Sequence, residues 1–154
     1  MPQLEKGAKN ENNYTTISYC FPNNEYEELS AMSKDAKKEL TTKVKWVAFK
    51  HQFFSSILVA KNDFVNADLS FQKLNEDGPE LKDLTARMSL PLQDGKNETI
   101  GFNFYFGPNH FKTLKSYNLG FEQNISYYIC NNNIIFFSCI IGRTFPKFGN
   151  FYTV

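Results

Sequence analysis

The sequence predicts a mainly β domain of antiparallel strands, with one short helix toward its C-terminal part. Three observations carry this. Aromatic residues make up 16% of the chain, with sixteen Phe and eight Tyr, and aromatic side chains favour pleated, half-buried surfaces. Apolar and polar residues alternate over several short stretches, the period of a strand with one face covered. Clusters of Gly, Pro, Asn and Asp separate those stretches, as turns require.

Length and charge set the outer limits. The 154 residues suffice for one domain with a core, and not for two ordinary ones. Hydrophobic residues at 42% and charged residues at 21% describe a globular chain rather than a disordered one. A net charge of +1 gives no electrostatic case for nucleic acid, which needs a basic stripe.

The first thirteen residues are polar and read as a lead-in. Tyr14 to Phe21 is rich in Thr, Tyr and Ile and reads as a strand, ended by Pro22, Asn23 and Asn24. Residues 25–43 are crowded with Glu, Lys and Asp and read as a solvated loop with at most a helical turn. Val44 to Ala60 is apolar on both parities, with Trp46 and Ala48 on one and Val47 and Phe49 on the other. That is the pattern of a strand buried on both faces, with a break between Lys50 and Gln52.

Phe64 to Leu74 alternates through Val65, Ala67, Leu69 and Phe71 and reads as a strand. Asn75 to Pro79 is a turn cluster. Leu84, Ala86, Met88, Leu90 and Leu92 then fall on every second residue, a half-buried strand. Asp94 and Gly95 give a hairpin signal, so residues 82–92 are expected to pair with residues 99–106. In that second strand Phe102, Phe104 and Phe106 share one face. Gly107 and Pro108 are expected to stop it, since Pro cannot donate to a ladder and Gly allows a positive φ. Phe111, Leu114 and Tyr117 recur at three-residue spacing with Lys112 and Lys115 outward, a short amphipathic helix over residues 109–118. After Phe121 the text becomes clumped Tyr, Asn, Ile and Phe, with Glu122, Arg143 and Lys147 as its charges.

No catalytic or metal-binding constellation emerges. His51 and His110 have no ligand-type neighbours at short spacing. The carboxylates crowd charged loops, where a raised pKa is not expected. Cys20, Cys130 and Cys139 show no C-x-x-C spacing and read as free thiols, although Cys130 and Cys139 lie close enough in sequence to pair. Glycine-rich phosphate loops and nucleophile elbows are missing. The run from Ile134 to Ile141 falls well short of the roughly 20 apolar residues of a bilayer span. Residues 1–16 lack the apolar core of a signal peptide. The expectation is therefore no catalytic, cofactor or metal site.

Three segments together carry a resemblance: Lys45 to Leu58, Leu84 to Leu92, and Gly101 to Leu114. They resemble the periplasmic domain of YidC-family membrane protein insertases of the Bacteroidetes type. The family's W-V-A-x-K-x-Q-F-F element is matched by Trp46, Val47, Ala48, Lys50, Gln52, Phe53 and Phe54. Its aromatic strand, Gly-Pro corner and helix are matched by Phe106, Gly107, Pro108, Phe111 and Leu114.

The resemblance implies part of a β-supersandwich, similar to galactose-mutarotase-like folds, followed by a short helix. It implies a role in inserting and folding inner-membrane proteins, alone or with the Sec translocon, at the periplasmic face of the bacterial inner membrane. It implies no cofactor and no bond breaking. Its partners would be nascent inner-membrane proteins and Sec components, with membrane anchoring through segments not in this chain. On this reading residues 1–121 are the C-terminal part of the periplasmic domain. Residues 122–154 are a divergent tail without assignment, and Met1 is not the natural start. Trp46, Phe53, Phe102, Phe104 and Phe106 are then expected in the core. The alternative is a free-standing β-sandwich that binds carbohydrate.

Overall fold

A computed structural model describes residues 11–74, 80–92, 99–125, 127–130 and 133–136, with side chains described as far as residue 125. Two antiparallel sheets dominate it. The larger has five strands: β1 (Thr16–Cys20), β2 (Tyr26–Glu28), β4 (Val44–Lys50), β5 (Phe54–Phe64) and β8 (Phe102–Pro108). Their spatial order is β2-β1-β4-β5-β8. The smaller sheet contains β3 (Asp35–Leu40), β6 (Asn66–Lys73) and β7 (Lys82–Ser89), in the order β3-β6-β7.

The sheets face one another across a core of Ile17, Tyr19, Val44, Val47, Phe64, Leu69 and Phe71. On the far face of the five-stranded sheet lie α2 (Phe111–Ser116) and a 3-10 turn, Phe121–Asn124. They cover a second core of Trp46, Ala48, Ile57, Val59 and Tyr105. This explains why Val44 to Ala60 is apolar on both parities: β4 and β5 are the middle layer of three. The expected break falls where β4 ends and β5 begins, and the two form an antiparallel hairpin. A four-residue helical turn, α1 (Glu11–Tyr14), precedes β1. Beyond Ile125 the backbone forms a two-stranded ladder, β9 (Tyr127–Cys130) with β10 (Asn133–Phe136).

Four expectations need correction. Residues 25–43 are not a loop, since they hold β2 and β3. Both are edge strands, and the charges that made them read as loop are what a sheet edge tolerates. Glu27 of β2 accepts hydrogen bonds from Tyr19 and, at 2.6 Å, from Lys38 of β3. The charged side chains thus tie one sheet to the other at this end.

The second correction concerns pairing. β7 does not pair with β8. It pairs with β6, setting Leu84 opposite Phe71 and Ala86 opposite Leu69, and β8 pairs with β5. A local turn signal sets where the chain reverses, not which strand becomes the neighbour. Asp94 and Gly95 lie outside the described residues, as do Asn75 to Pro79, Cys139 and the side chain of Cys130.

Third, Phe102, Phe104 and Phe106 are not core residues. They are 38%, 59% and 61% exposed, while Tyr105 on the opposite face is buried. The three-stranded sheet is too narrow to reach over β8. Phe53 is only half-buried as well, on the turn between β4 and β5.

Fourth, Gly107 has no positive φ; that conformation belongs to Gly120 at 78°. β8 runs through Gly107 to Pro108, which pairs with Phe54. Glycine is needed at 107 for space. A Cβ there would meet the Tyr105 hydroxyl at 2.8 Å, because that hydroxyl crosses position 107 to donate to the Pro108 carbonyl at 2.6 Å.

Candidate functional site

Two of the segments that carry the family resemblance meet at a joint at the end of the β4–β5 hairpin, where Phe54 pairs with Pro108. Asn109 holds it. Its backbone N–H donates to the Phe53 carbonyl at 2.7 Å. Its Nδ2 donates to the carbonyl of His51 at 3.0 Å and lies 3.5 Å from that of Gln52. Its Oδ1 accepts from Ser55 Oγ at 2.7 Å. One buried amide therefore reads the whole reversal from His51 to Ser55. Asn109 follows Gly107 and Pro108 directly, so the end of β8 delivers it to the hairpin. Sequence reasoning passed over it, because an Asn after Gly-Pro reads as ordinary turn chemistry.

The other motif residues are spread along β4 and α2. Trp46 is fully buried, donates from Nε1 to the Leu119 carbonyl at 2.8 Å and meets the Phe121 ring edge-on at 5.6 Å. A buried indole N–H needs such an acceptor. Val47 faces the core between the sheets, and Ala48 faces the helix side. Lys50 is buried and reaches Glu28 Oε2 at 2.8 Å, so its charge is met. Gln52 is half-buried and Phe54 is 42% exposed. Leu114 anchors α2 in the second core, with Phe111 half-buried beside it. The structure thus brings the two motif segments together as a folded joint, not as a reactive cluster.

Two buried titratable groups stand apart from the motif. His51 lies at 3.6 Å from Glu11 Oε1 and 3.2 Å from Thr15 Oγ1, both at its Nδ1. Burial lowers its pKa, and the Glu11 carboxylate pulls the other way. A hydrolytic relay needs the acid and the hydroxyl on opposite ring nitrogens. Here both sit on the same one, so the trio cannot pass a proton along a line. Lys82 is fully buried. It donates to the carbonyls of Thr15 at 2.7 Å and Ala31 at 2.8 Å, and lies 4.5 Å from the centre of the Phe71 ring. Burial, with a smaller contribution from Lys73, lowers its pKa to about 8. Nothing in the sequence marked Lys82 as different from its solvated neighbours.

Among the described residues no group of three or more His, Cys, Asp or Glu is placed to hold a metal ion. His110 faces Thr113 Oγ1 at 2.9 Å. Cys20 is a buried free thiol whose pKa is raised by burial. No helix of the described residues is long and apolar enough to cross a membrane.

Comparison with known proteins agrees with the family resemblance. The family model for the YidC periplasmic domain matches residues 2–131. A protein of Phocaeicola vulgatus named membrane protein insertase YidC is 40% identical over 116 residues, covering 75% of this chain and 18% of the relative. The namesake from Bacteroides fragilis is 36% identical over 121 residues, covering 79% of this chain and 19% of the relative. The namesake from Amoebophilus asiaticus is 27% identical over 130 residues, covering 80% and 21%. The chain therefore spans about a fifth of the length of these curated relatives. Their shared name denotes a non-enzymatic role at a membrane, and none of these matches supports the carbohydrate-binding alternative. With the family model matched over most of its length, this chain belongs to the YidC periplasmic domain family.

Proposed function

We propose that the chain serves as part of the periplasmic domain of a membrane protein insertase, at the periplasmic face of the bacterial inner membrane. It acts as a folded docking element, breaks no bond and uses no cofactor. Residues 1–121 form the C-terminal part of that domain, and residues 122–154 are a divergent tail whose first residues, as far as 131, the family match still includes. The proteins served are newly made inner-membrane proteins, received alone or with the Sec translocon. The observation that carries this reading is the family match over residues 2–131, with relatives bearing the insertase name. The burial of Trp46, Ala48 and Leu114 supports it, since these motif residues shape the domain rather than a reaction centre.

The experiment is a segment exchange. The chain replaces the matching stretch of the Bacteroides fragilis relative, and the chimera is expressed in cells depleted of their own insertase. Growth and membrane insertion of a reporter are expected. A chimera that accumulates in the membrane and supports neither would sink the reading.

A further inference from the structure

We propose that the turn ahead of β1, residues 11–15, is an acid-released latch: the buried ring of His51 holds it to the β4–β5 hairpin at neutral pH and lets it go in mild acid.

The turn is gripped at one residue from two sides. Thr15 is fully buried. Its Oγ1 lies 3.2 Å from His51 Nδ1, and its carbonyl accepts from Lys82 at 2.7 Å. His51 directly follows β4 of the five-stranded sheet, and Lys82 opens β7 of the smaller one. Glu11, at the other end of the turn, is buried too, with Oε1 3.6 Å from the same ring nitrogen. The main chain of His51 is fixed independently. Its N–H donates to the Phe54 carbonyl at 2.8 Å, and its carbonyl accepts from Asn109 at 3.0 Å. The ring is therefore the movable part of the contact.

The hydrogen bonds assign the tautomer. Thr15 has one hydroxyl proton, and it goes to the Glu11 carbonyl at 2.9 Å. Toward His51 the hydroxyl is then an acceptor, so Nδ1 carries the ring proton. Nε2 is left as a lone pair, buried and without a hydrogen-bond partner.

That nitrogen makes the latch sensitive to acid. Protonation would put a second N–H on the ring at Nε2, with no acceptor for it, and an unmet buried donor is costly. Burial is the largest influence on the ring and disfavours the imidazolium. The Glu11 carboxylate favours it, and the amino terminus opposes it more weakly. Of the nearby cations, Lys82 points at the Thr15 carbonyl from the other sheet, and Lys50 is met by Glu28. Once the turn opens, the ring reaches water and takes its proton at about pH 6.5, as free histidine does. The closed ring holds its proton less tightly than that, so the open form binds the extra proton and falling pH favours opening. Release stays local, because β4 keeps its pairing with β1 and β5.

The test is backbone hydrogen exchange of the 154-residue chain at about pH 7.5 and about pH 5.5, corrected for the intrinsic rate. The Thr15 amide, bonded to the Glu11 carbonyl at 3.1 Å, reads the latch. Its protection is expected to fall by up to about tenfold at the lower pH, with β4 unchanged. His51→Gln keeps an uncharged donor that takes up no proton, so it should abolish the fall, while His110→Gln should leave it intact. Unchanged protection of Thr15 in acid overturns the proposal. So does an equal loss along β4, because the whole domain is then responding, and so does the same fall in His51→Gln. Should that variant not fold, ring-nitrogen NMR of the wild type decides. A proton on Nδ1 alone at neutral pH upholds the latch, and a proton on Nε2 at that pH overturns it.

Discussion

The side-chain amide of Asn109 donates to the backbone carbonyl of His51 across 58 residues of sequence. That bond, with the Ser55 hydroxyl on the other end of the same amide, fixes the β4–β5 hairpin to the start of α2. Replacing Asn109 with Ala leaves a buried carbonyl and a buried hydroxyl without partners, at about 1–3 kcal/mol each. A loss of roughly 2–4 kcal/mol is expected, read by urea unfolding. Ser55→Ala should cost about 1 kcal/mol, because it removes one bond and leaves the hairpin contacts of Asn109 in place. The single Trp is the natural probe, since Trp46 is fully buried in the folded state.

The exposure of Phe104 reverses the energetics that its sequence position implies. As a buried core residue, its truncation to Ala would cost about 3–5 kcal/mol. At 59% exposure, Phe104→Ala in the isolated chain is expected to cost less than about 1 kcal/mol. Leu114→Ala, at a fully buried position, should cost about 2–5 kcal/mol. Equal losses for the two variants in chemical denaturation would refute this placement of β8.

Lys82 makes stability depend on alkaline pH. Its folded-state pKa of about 8 lies below its ordinary 10.5, so the unfolded chain holds the extra proton between those values. Stability therefore rises with pH across that window, by up to about 3 kcal/mol when the lysine is neutral in both states. Tyr26 and Tyr105 have raised pKa values, chiefly from burial, and begin to oppose folding only above pH 10. Thermal melts at about pH 7 and pH 9.5 should show the wild type gaining on Lys82→Met. That variant should be less stable at both values, because the carbonyls of Thr15 and Ala31 lose their donor.

Gly107 and Tyr105 should be energetically coupled. Gly107→Ala places a methyl in the path of the Tyr105 hydroxyl, and crowding of this kind costs about 1–3 kcal/mol. Tyr105→Phe alone loses the bond to the Pro108 carbonyl, about 1 kcal/mol. In the double variant the added methyl no longer meets a hydroxyl, so the combined loss should fall short of the sum. Strict additivity in a double-mutant cycle would show that space at position 107 is not what requires glycine.

Much of the fold was legible in the sequence, for reasons tied to particular residues. The alternation of Ala67, Leu69 and Phe71 gave β6, and that of Leu84, Ala86 and Met88 gave β7, because each strand has one covered face. The two-parity apolarity around Trp46 and Phe49 gave a middle layer. What failed was non-local. Nothing in the text from Lys82 to Phe106 says which of two sheets each strand joins. The period of Phe102, Phe104 and Phe106 defines a face, but whether that face is covered depends on the width of a sheet built from residues 35–89. β2 and β3 were hidden because edge strands carry the composition of loops. Asn109 and Lys82 were hidden because their partners are main-chain carbonyls, which every residue has. The family resemblance fared better, since it rests on local order and spacing.

The layer over Trp46 is built from the last of the described side chains. Leu119 accepts its indole proton, Phe121 packs its ring, and Asn124 reaches back to Ser18, 106 positions earlier. The contact that closes this layer therefore joins the two ends of the described side chains. Until residues near 125 are in place, β4 and β5 have no cover for Ile57, Val59 and Trp46, whatever pairing they have already made. Contacts this far apart also form slowly. The folding domain therefore passes through an interval with an open aromatic face, when it is most prone to aggregate.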